Sequence, residues 1–520
     1  MAAIHKLGNS LYVTVEQWFN RGFGNRWNPF YHLGSLTFFF FWVVLVSGLY
    51  VFILFETSVG RAYLSVEYMT HDQWWLGGIM RSLHRYASDA AIITIFLHMF
   101  REFFRDRYRD VRWFSWFTGV PTLWLAVILG ITGYWLVWDQ MAMYVAVATA
   151  ELIDWLPVTL GSMILNFIGS EVSDRFFTLM SFLHLLAFPV GMVFMLWIHV
   201  SRISQVEFSA PLGLSLGSLG ALIILSLIKP AVSHGPASQA IAPTELHLDW
   251  FYLNIYPFLD QYGPGWAWGI SLGTTLLLIL LPWLPPRKAK PAAIVNLETC
   301  NGCGGCARDC PFGAASMQPR KDGNKQFLLQ STVDPALCTA CGICVGACGA
   351  SNPYRQANSD LLIGIHLPEF TVDELRNKTN AALEILEKQD GRILVYGCDH
   401  AADLDLLRSP GIEVISLPCT GMLPPSFLDY ALSQGAEGVV VTGCRSGDCY
   451  YRLGNKLVEE RLAGSRDPKL FTRTDRSRIL VSWAGKEDHL TLSRNIARFR
   501  SEMLAENDRI PSSLTLEKAS

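Results

Sequence analysis

Eight cysteines fall into two groups with the spacing of metal ligands. Cys300, Cys303, Cys306 and Cys310 follow the pattern C-x2-C-x2-C-x3-C-P, and Cys338, Cys341, Cys344 and Cys348 repeat it without the proline. In such a run three thiolates hold three irons of a cubane, and the remote fourth ligates the partner cluster. The pattern predicts one 4Fe-4S cluster on Cys300, Cys303, Cys306 and Cys348, and another on Cys338, Cys341, Cys344 and Cys310. Zinc is the weaker alternative, because zinc sites rarely need two interlocked runs.

Four histidines lie in apolar segments. His84 and His98 are fourteen residues apart in one segment, and His184 and His199 are fifteen apart in another. At 100° per residue each pair falls within about 60° of one helix face, with roughly 21 to 22 Å between its members. Imidazole is a common axial ligand of haem iron, so two such helices could clamp two stacked haems. A single histidine could instead form a hydrogen bond across helices, but four at matched spacing argue against that reading.

Glycines repeat the same fourteen-residue step in two other apolar segments, at Gly34 and Gly48 and at Gly119 and Gly133. Glycine lacks the side chain that would keep a flat macrocycle away from the backbone. Close packing also explains glycines in membrane helices, so each pair alone is a weak signal.

These residues require long helices to position them. Apolar runs near the roughly 20 residues needed to cross a bilayer cover 33–55, 78–104, 114–138, 175–201, 212–229 and 265–285. Beyond them the chain becomes polar, and apolar runs at 392–396, 412–417 and 437–442 alternate with helical stretches. This alternation predicts a small α/β domain with a parallel sheet.

The predicted fold is therefore multidomain. An all-α transmembrane four-helix bundle for two haems is followed by two further transmembrane helices, an α+β ferredoxin-like domain and a small α/β iron-sulphur domain. The predicted boundaries are 1–210, 211–290, 291–360 and 361–505, with a flexible tail at 506–520.

Charge predicts the orientation in a cell (inner) membrane. Six spans place both termini on one side. Basic residues cluster after the second and sixth spans, at Arg101, Arg105, Arg107, Arg109, Arg112, Arg287, Lys288 and Lys290. Arg61 is the only lysine or arginine in residues 56–77. The positive-inside rule therefore places the termini and everything after residue 286 in the cytoplasm. Residues 10–27 are expected to form an interfacial helix, and the N-terminus shows no cleaved signal peptide.

Residues 28–210 carry strings that identify a family. They are Met80-Arg-Ser-Leu-His-Arg85, Phe117-Thr-Gly-Val-Pro121, Gly130-Ile-Thr-Gly-Tyr134 and Trp138-Asp-Gln140, with His184 and His199. This segment resembles cytochrome b of quinol-oxidising complexes, of the chloroplast and cyanobacterial kind. The resemblance implies two haems b, one on His84 and His184 on the outer side and one on His98 and His199 on the cytoplasmic side. It also implies a dimer, and it pairs Arg81 and Arg85 with haem propionates; anchoring of these arginines to lipid headgroups is the alternative.

The fifth and sixth spans resemble the quinol-site half of the same complexes. Their Pro-Glu-Trp-Tyr loop corresponds here to Leu248-Asp-Trp-Phe-Tyr252, in which the acid is Asp249 and the proline is lost. The resemblance implies an outer quinone site at Asp249, Trp250 and Tyr252, formed with the 139–170 connection; a membrane-interface loop is the alternative. His32 replaces a cysteine that holds an extra haem in photosynthetic relatives. Asp89 is an unexpected acid within a span, either a proton relay or part of a polar pair.

The last four cysteines, Cys398, Cys419, Cys444 and Cys449, lie near the ends of strand-like runs, whose loops can converge. Four thiolates suit a 2Fe-2S cluster or zinc, and spacing alone does not choose. The strings Tyr396-Gly-Cys398, Pro418-Cys-Thr-Gly421 and Val441-Thr-Gly-Cys-Arg-Ser-Gly-Asp-Cys-Tyr-Tyr451 make residues 391–504 resemble the delta subunit of methyl-viologen-reducing hydrogenase. That family carries a 2Fe-2S cluster and docks on a flavin-bearing heterodisulfide reductase subunit. Ala401 stands where it has a further cysteine.

Residues 294–353 resemble a bacterial two-cluster ferredoxin. The combined prediction is a quinone-linked oxidoreductase subunit that passes electrons between a cytoplasmic heterodisulfide reductase-like flavoprotein and the membrane quinone pool. Two alternatives are the anchor subunit of a formate dehydrogenase or hydrogenase, and an anchor with non-essential haems. A net charge of -3 without a basic surplus argues against a nucleic-acid partner. A Rieske centre needs two Cys/His pairs, and the sequence has a single C-x-H, Cys398-Asp-His400, so bifurcation would require a separate subunit.

Overall fold

The computed structural model divides into two compact units, Met1–Arg287 and Lys288–Ser520, named here the N-terminal unit and the C-terminal unit. The structure describes residues 2–157, 159, 161–168, 173–201, 208–238, 245–285, 290–357, 360–361 and 363–507. The basic residues Arg287 and Lys288, and most of the expected tail, lie outside these ranges.

The described part of the N-terminal unit is built from helices. They are α1 (Ala2–Trp27), α2 (Leu33–Leu54), α3 (Ala62–His71), α4 (Ile79–Phe104), α5 (Trp113–Val137), α6 (Gln140–Asp154), α7 (Leu165–Ile168), α8 (Asp174–Phe182), α9 (Phe188–Val200), α10 (Leu212–Ile228), α11 (Ile255–Tyr262) and α12 (Pro264–Leu280). A π turn, Leu183–Ala187, joins α8 to α9. Helix α2 packs along α4, and α5 packs along α9, so each glycine-bearing helix faces a histidine-bearing one.

Among the described residues, four segments are long and apolar enough to cross a membrane: α2, α5, Phe177–Val200 and Pro264–Trp283. Helix α4 has the necessary length but carries charged side chains at both ends and at Asp89. Helix α10 is apolar but has only 17 residues. The apolar side chains of Trp42 and Val193 are 63% and 67% exposed, a surface that lipid would cover. The protein is thus an integral membrane protein with several apolar helices, and six spans remain a prediction.

The expected interfacial helix is the second half of the longer helix α1, which packs against α4. Glu16 on α1 is fully buried and accepts a hydrogen bond from Arg101 Nε at 2.8 Å and another from Arg105. Glu102 likewise pairs with Arg112 at 3.0 Å. Part of the basic cluster on which the orientation depends is therefore neutralised within the unit, and the cytoplasmic orientation remains a prediction.

The described part of the C-terminal unit combines short strands and helices. They are β1 (Ile294–Val295), α13 (Gly305–Asp309), β2 (Ala315–Pro319), β3 (Leu329–Val333), α14 (Ile343–Gly346), β4 (Gln356–Ala357), β5 (Asp360–Leu361), β6 (Ile365–His366), α15 (Val372–Leu386), β7 (Ile393–Cys398), β8 (Ile412–Leu417), α16 (Ser426–Ser433), β9 (Gly438–Gly443), α17 (Gly454–Ala463), β10 (Ile479–Trp483) and α18 (His489–Asn507). Strands β2 and β3 form an antiparallel hairpin, and β1 pairs with β6.

A four-stranded parallel sheet in the order β10-β9-β7-β8 forms the second half of this unit. This confirms the predicted α/β region. Three strands coincide with the predicted runs, and every residue of β7 and β9 is buried, as in sheets covered on both faces. Strand β10 was not predicted, because its five residues are only partly buried or exposed and follow a charged stretch.

Candidate redox sites

His84 on α4 and His184 in the π turn face each other, with their ring centroids 6.5 Å apart. Two metal-nitrogen bonds of about 2 Å, together with two ring radii, add up to roughly 6 Å. The gap therefore fits one metal held by both imidazoles. His98 and His199 lie close enough to interact electrostatically, so the structure brings the four predicted histidines together as the two predicted pairs.

The π turn at Leu183–Ala187 explains why the two histidine spacings differ by one residue. A π turn adds one residue to a helix without continuing its regular rotation, and such bulges are frequent at functional sites. The fifteen residues from His184 to His199 therefore keep about the same phase as the fourteen from His84 to His98. The sequence analysis took the spacings as equivalent, and the backbone supplies the reason.

Each of the four predicted glycines lies against one of the four histidines. A Cβ at Gly48 would lie 2.8 Å from Cε1 of His84, and a Cβ at Gly133 would lie 3.0 Å from Cε1 of His184. The corresponding distances are 3.3 Å for Gly119 and His199 and 3.7 Å for Gly34 and His98. The glycine repeat thus lets each imidazole ring approach the backbone of a neighbouring helix, and the approach of a macrocycle remains a prediction.

Hydroxyl groups beside three of these glycines orient the histidine rings. Nδ1 of His184 lies 3.1 Å from Oγ1 of Thr132, and Nδ1 of His199 lies 3.2 Å from Oγ1 of Thr118. Nδ1 of His84 lies 2.9 Å from the carbonyl oxygen of Val44 and 3.3 Å from Oγ of Ser47. A partner on Nδ1 fixes the ring and leaves Nε2 for a metal.

The sequence analysis missed these hydroxyl-bearing residues. Their signal is a Ser or Thr directly before the glycine, at Ser47-Gly48, Thr118-Gly119 and Thr132-Gly133. Leu33 precedes Gly34, so this helix departs from the pattern at the His98 position.

The two predicted propionate-binding arginines hold carboxylates in this structure. Arg85 pairs with Asp89 one turn away and with Asp249 Oδ2 at 2.7 Å. Arg81 donates to Thr70 and to Ser233 Oγ, and lies 3.7 Å from Glu67. Asp89 is thus a member of a polar pair, as one of the two expectations held. Binding to propionates stays a prediction, and the propionates would have to share these guanidinium groups.

The predicted quinone-site residues are arranged around Asp249. Oδ2 of Asp249 accepts hydrogen bonds from Arg85 and from the hydroxyl of Tyr134, both at 2.7 Å. Tyr252 is buried, donates to the carbonyl oxygen of Ser88 at 2.8 Å and lies against Gly130. The indole of Trp250 is 72% exposed, so it lies on the surface of the unit.

The 139–170 connection reaches this region through α6. Thr149 Oγ1 lies 2.7 Å from the hydroxyl of Tyr256 on α11, the helix that follows the Asp249 loop. Nε2 of His32 lies 3.1 Å from the carbonyl oxygen of Arg26.

In the C-terminal unit, the four cysteines of one predicted cubane set line a single pocket: Cys310, Cys338, Cys341 and Cys344. The remote Cys310 is therefore beside the other run, as the interlocked assignment predicts. Burial raises the pKa of Cys341 to about 12 and that of Cys344 well above its usual range. Both thiols are protonated at neutral pH before a metal binds, and cluster binding must release these protons.

The other predicted set is assembled in the same crossed manner. Cys306 interacts electrostatically with Cys348 and with Cys303. Burial raises the pKa of Cys306, an effect partly offset by its hydrogen bond with Ser331 Oγ at 3.1 Å. Cys300 begins the same loop, and its carbonyl oxygen accepts a hydrogen bond from Arg320 at 2.5 Å.

The last four cysteines converge at the carboxyl edge of the parallel sheet. Cys398 ends β7, Cys419 follows β8, and Cys444 and Cys449 follow β9; all four are buried. The Sγ atoms of Cys398 and Cys444 are 3.9 Å apart. Hydrogen bonds from Cys419 and Cys444 hold the pKa of Cys398 and of Cys449 well below the usual range.

Gly454, at the start of α17, lies against the Sγ atoms of Cys419 and Cys449, where a side chain would collide with the sulphur. The sequence analysis missed this residue. In the part of the chain that the structure describes, no group of three or more His, Cys, Asp or Glu is spaced to hold a single metal ion. The four converging thiols are named here the tetracysteine site.

Comparisons with known proteins match the same three segments. The family model for cytochrome b/b6/petB matches residues 23–207, that for the 4Fe-4S dicluster domain matches 299–352, and that for the methyl-viologen-reducing hydrogenase delta subunit matches 391–505. These matches confirm the three resemblances drawn from the motifs.

Individual relatives cover the membrane helices. Cytochrome b6 of Gloeobacter violaceus is 31% identical over 192 residues, which is 36% of this chain and 86% of that protein. Cytochrome b6 of Heliobacterium mobile is 31% identical over 190 residues, or 36% and 87%. Cytochrome b of Rhodospirillum rubrum is 25% identical over 302 residues, or 51% and 72%. The solved structure titled "Hyperthermophilic respiratory Complex III" gives a TM-score of 0.41 at 17% identity, over 49% of this chain and 75% of that chain.

The relatives at 31% identity are covered over more than two thirds of their length, and the family model coincides with the histidine-bearing helices. The chain therefore belongs to the cytochrome b family, as a membrane electron-transfer protein in which the cytochrome b part is fused to a 4Fe-4S dicluster domain and a hydrogenase delta-subunit domain.

Proposed function

We propose that this chain passes electrons between a cytoplasmic flavin and iron-sulphur oxidoreductase, similar to heterodisulfide reductase, and the membrane quinone pool. When bound, two haems b, two 4Fe-4S clusters and one 2Fe-2S cluster would each supply one-electron redox chemistry. The observation that carries the proposal is that one chain contains two facing imidazole pairs and three converging sets of thiols.

The membrane residues have distinct roles in this proposal. His84 with His184, and His98 with His199, would be the axial ligands, and the hydroxyls of Thr118 and Thr132 would orient two of them. The donor set fits haem, because the Nδ1 atoms of His84, His184 and His199 have partners and the gap between His84 and His184 admits a metal.

The proposed quinone site lies around the Asp249 carboxylate. Oδ2 accepts hydrogen bonds from Arg85 and Tyr134, and Oδ1 accepts one from the backbone N–H of Phe251 at 2.6 Å. A carboxylate held in this way is available to exchange a proton with a quinol hydroxyl. Tyr252 would support the loop, and the exposed Trp250 would meet lipid or quinone.

The proposed topology has six spans, with both termini and the iron-sulphur domains in the cytoplasm. The domain boundaries are those expected from the sequence, 1–210, 211–290, 291–360 and 361–505. The low potentials of many cubane clusters favour quinone reduction over quinol oxidation. The delta-subunit segment is the proposed docking site for the cytoplasmic flavoprotein.

The test begins with cofactor analysis and redox titration of the purified chain. We expect two haems b and, in the clusters, about ten non-haem irons per chain. A reduced heterodisulfide reductase-like flavoprotein should then reduce the b haems, seen as growth of the alpha band. The variant Cys444→Ala should block this reduction while the haem content is retained. Failure of the flavoprotein to reduce haem in the fully loaded chain, or unchanged reduction in Cys444→Ala, would contradict the proposal.

A further inference from the structure

Two of the three thiol sites in the C-terminal unit share a wall. Cys341, Ile343 and Tyr451 belong to the same buried apolar cluster as the four cysteines of the tetracysteine site. Helix α14 packs on the loop that follows Cys419, where a Cβ on Gly342 would lie 2.8 Å from Sδ of Met422. Gly346 on the same helix lies against the carbonyl oxygen of Gly421. The Cys310/Cys338/Cys341/Cys344 site and the tetracysteine site are thus direct neighbours.

Arg461 lies within this wall and joins its parts. Its side chain on α17 is fully buried. Nη1 donates to the carbonyl oxygen of Gly421 at 2.9 Å, beside the tetracysteine site. Nη2 donates to Asp309 Oδ2 at 2.7 Å and lies 3.4 Å from the carbonyl oxygen of Ile343. One guanidinium therefore ties three segments that carry ligand cysteines of both sites.

Asp309 completes the arrangement. It directly precedes Cys310, its side chain is fully buried, and its Oδ1 accepts a second ion-pair hydrogen bond from Arg466 at 2.7 Å. A buried ion pair is retained only where its geometry is good, and removal of one partner leaves an uncompensated buried charge. Arg461 therefore holds these segments in place and also balances the buried charge of Asp309.

The Cys300/Cys303/Cys306/Cys348 site has different surroundings. Cys306 bonds to Ser331 on β3, and Cys348 packs against Gly364 just before β6. Cys303 is exposed. These contacts lie before residue 391, where the delta-subunit match begins, whereas the contacts of Cys341 and Ile343 reach Cys419 and Gly421 within that match.

We propose that Arg461 is a positioning residue that fixes the tetracysteine site against the Cys310/Cys338/Cys341/Cys344 site, and that these two sites are the direct electron-transfer neighbours. This rests on the proposed function, because it needs clusters at both sites. With clusters bound, the tetracysteine site would give up one electron and the Cys310/Cys338/Cys341/Cys344 site would accept it, with no bond formed or broken and no proton moved. The Cys300/Cys303/Cys306/Cys348 site would then hold the next carrier.

The first experiment measures electron spin relaxation of the reduced 2Fe-2S centre in the full chain reduced with dithionite. A paramagnetic cubane next to this centre accelerates its relaxation. We expect the fast relaxation to be lost in Cys338→Ser, which removes a ligand of the neighbouring cubane, and to persist in the matched variant Cys303→Ser. Fast relaxation in Cys338→Ser, or its loss in Cys303→Ser, would overturn the order of the sites.

The second experiment changes Arg461 and keeps every cysteine. Arg461→Met with Asp309→Asn removes both charges at similar volume, and Arg461→Lys keeps the positive charge. We expect slower relaxation and a lower cubane midpoint potential in Arg461→Met, partial rescue in Arg461→Lys, and no change in the control Arg473→Met. Arg473 forms a more exposed ion pair, with Asp429 at 2.6 Å in the same unit. Wild-type relaxation and potential in both the single and the double variant would overturn the role of Arg461.

These outcomes are separable from failure of the proposed function. Suppose that the chain holds all its clusters but loses fast relaxation in Cys303→Ser and keeps it in Cys338→Ser. The proposed electron path would then stand, and only the proposed order of the two cubane sites would be wrong. A wild-type chain without a 2Fe-2S signal would overturn the cofactor of the tetracysteine site, and this inference with it. If Arg461→Met does not fold, the double variant and Arg461→Lys still decide the result.

Discussion

The two units prepare their candidate ligands in opposite ways. In the N-terminal unit, the imidazoles of His84, His184 and His199 are already oriented by hydrogen bonds to neighbouring helices. In the C-terminal unit, buried thiols such as those of Cys341 and Cys344 are held in place but kept protonated, since burial raises their pKa. The imidazole sites are therefore ready to bind a metal, whereas the thiol sites must also release protons when a metal binds.

This difference teaches where each unit is sensitive. A neutral imidazole is ready to bind a metal, so changes to its position should dominate in the membrane helices. A buried thiol must first become a thiolate, so changes to charge and pH should dominate in the C-terminal unit. The predictions below test this contrast, from the largest expected effect to the smallest.

Removal of one membrane imidazole should have the largest effect. We expect His84→Leu to lose the haem proposed to be shared with His184 and to keep the other, because the proposal assigns one iron to each pair. The pyridine haemochrome assay should show half the wild-type haem. His71→Leu is a matched control, because His71 lies at the end of α3 and is exposed. Full haem in His84→Leu would contradict the assigned pair.

A side chain at a ligand-facing glycine should have nearly the same effect. In Gly48→Val, the new Cβ would lie 2.8 Å from His84 Cε1, so the ring or the helix must shift. We expect most of the same haem to be lost. Gly220→Val in α10 is the control, because a Cβ there meets nothing within 4 Å. Equal haem content in the two variants would show that the glycine contact has no role in binding.

At the thiol sites, the degree of ionisation of each buried thiol should control its reactivity. With its pKa raised to about 12 by burial, Cys341 is ionised roughly a thousandfold less at pH 8 than an ordinary thiol. In the cluster-free chain, iodoacetamide should therefore modify the exposed Cys303 well before Cys341, as measured by peptide mass spectrometry. In urea the two rates should converge. Equal rates in the folded chain would contradict the protonated, buried state of Cys341.

Much of this molecule could be predicted because its ligands follow regular patterns. His84 and His98 lie on one regular helix, so their spacing gives their phase. The interlocked cysteine runs predict the number of cubane sites and the placement of Cys310 beside the second run. Strands β7 to β9 were predicted because continuous apolar runs mark strands that are buried on both faces.

The rest depends on contacts between segments that are distant in the chain. The π turn at His184 is a local exception: it changes the helix by one residue, and Pro189 just after it, which has no N–H to donate to the carbonyl of Leu185, is a signal that was missed. Arg461 is a charged residue in an amphipathic helix, where exposure is the usual expectation, yet it is fully buried. Its partners Asp309 and Gly421 are 152 and 40 residues away in sequence. Such pairings arise only when the domains pack.

The smallest expected effect concerns the hydroxyls that orient the imidazoles. Thr132→Val keeps the shape of the side chain and removes one partner of the His184 ring, which also bonds to the backbone of Leu129. Loss of such an outer partner typically weakens metal binding by about 10- to 100-fold, so haem should remain bound in the purified chain but be lost faster to apomyoglobin. Thr122→Val is the control, because the Thr122 hydroxyl bonds to the carbonyl oxygen of Thr118 and not to a histidine. If both variants release haem at the wild-type rate, ring orientation must come from the backbone bond to Leu129 and from helix packing. The orientation of the imidazoles would then separate the two units less clearly than the hydrogen bonds of His84, His184 and His199 indicate.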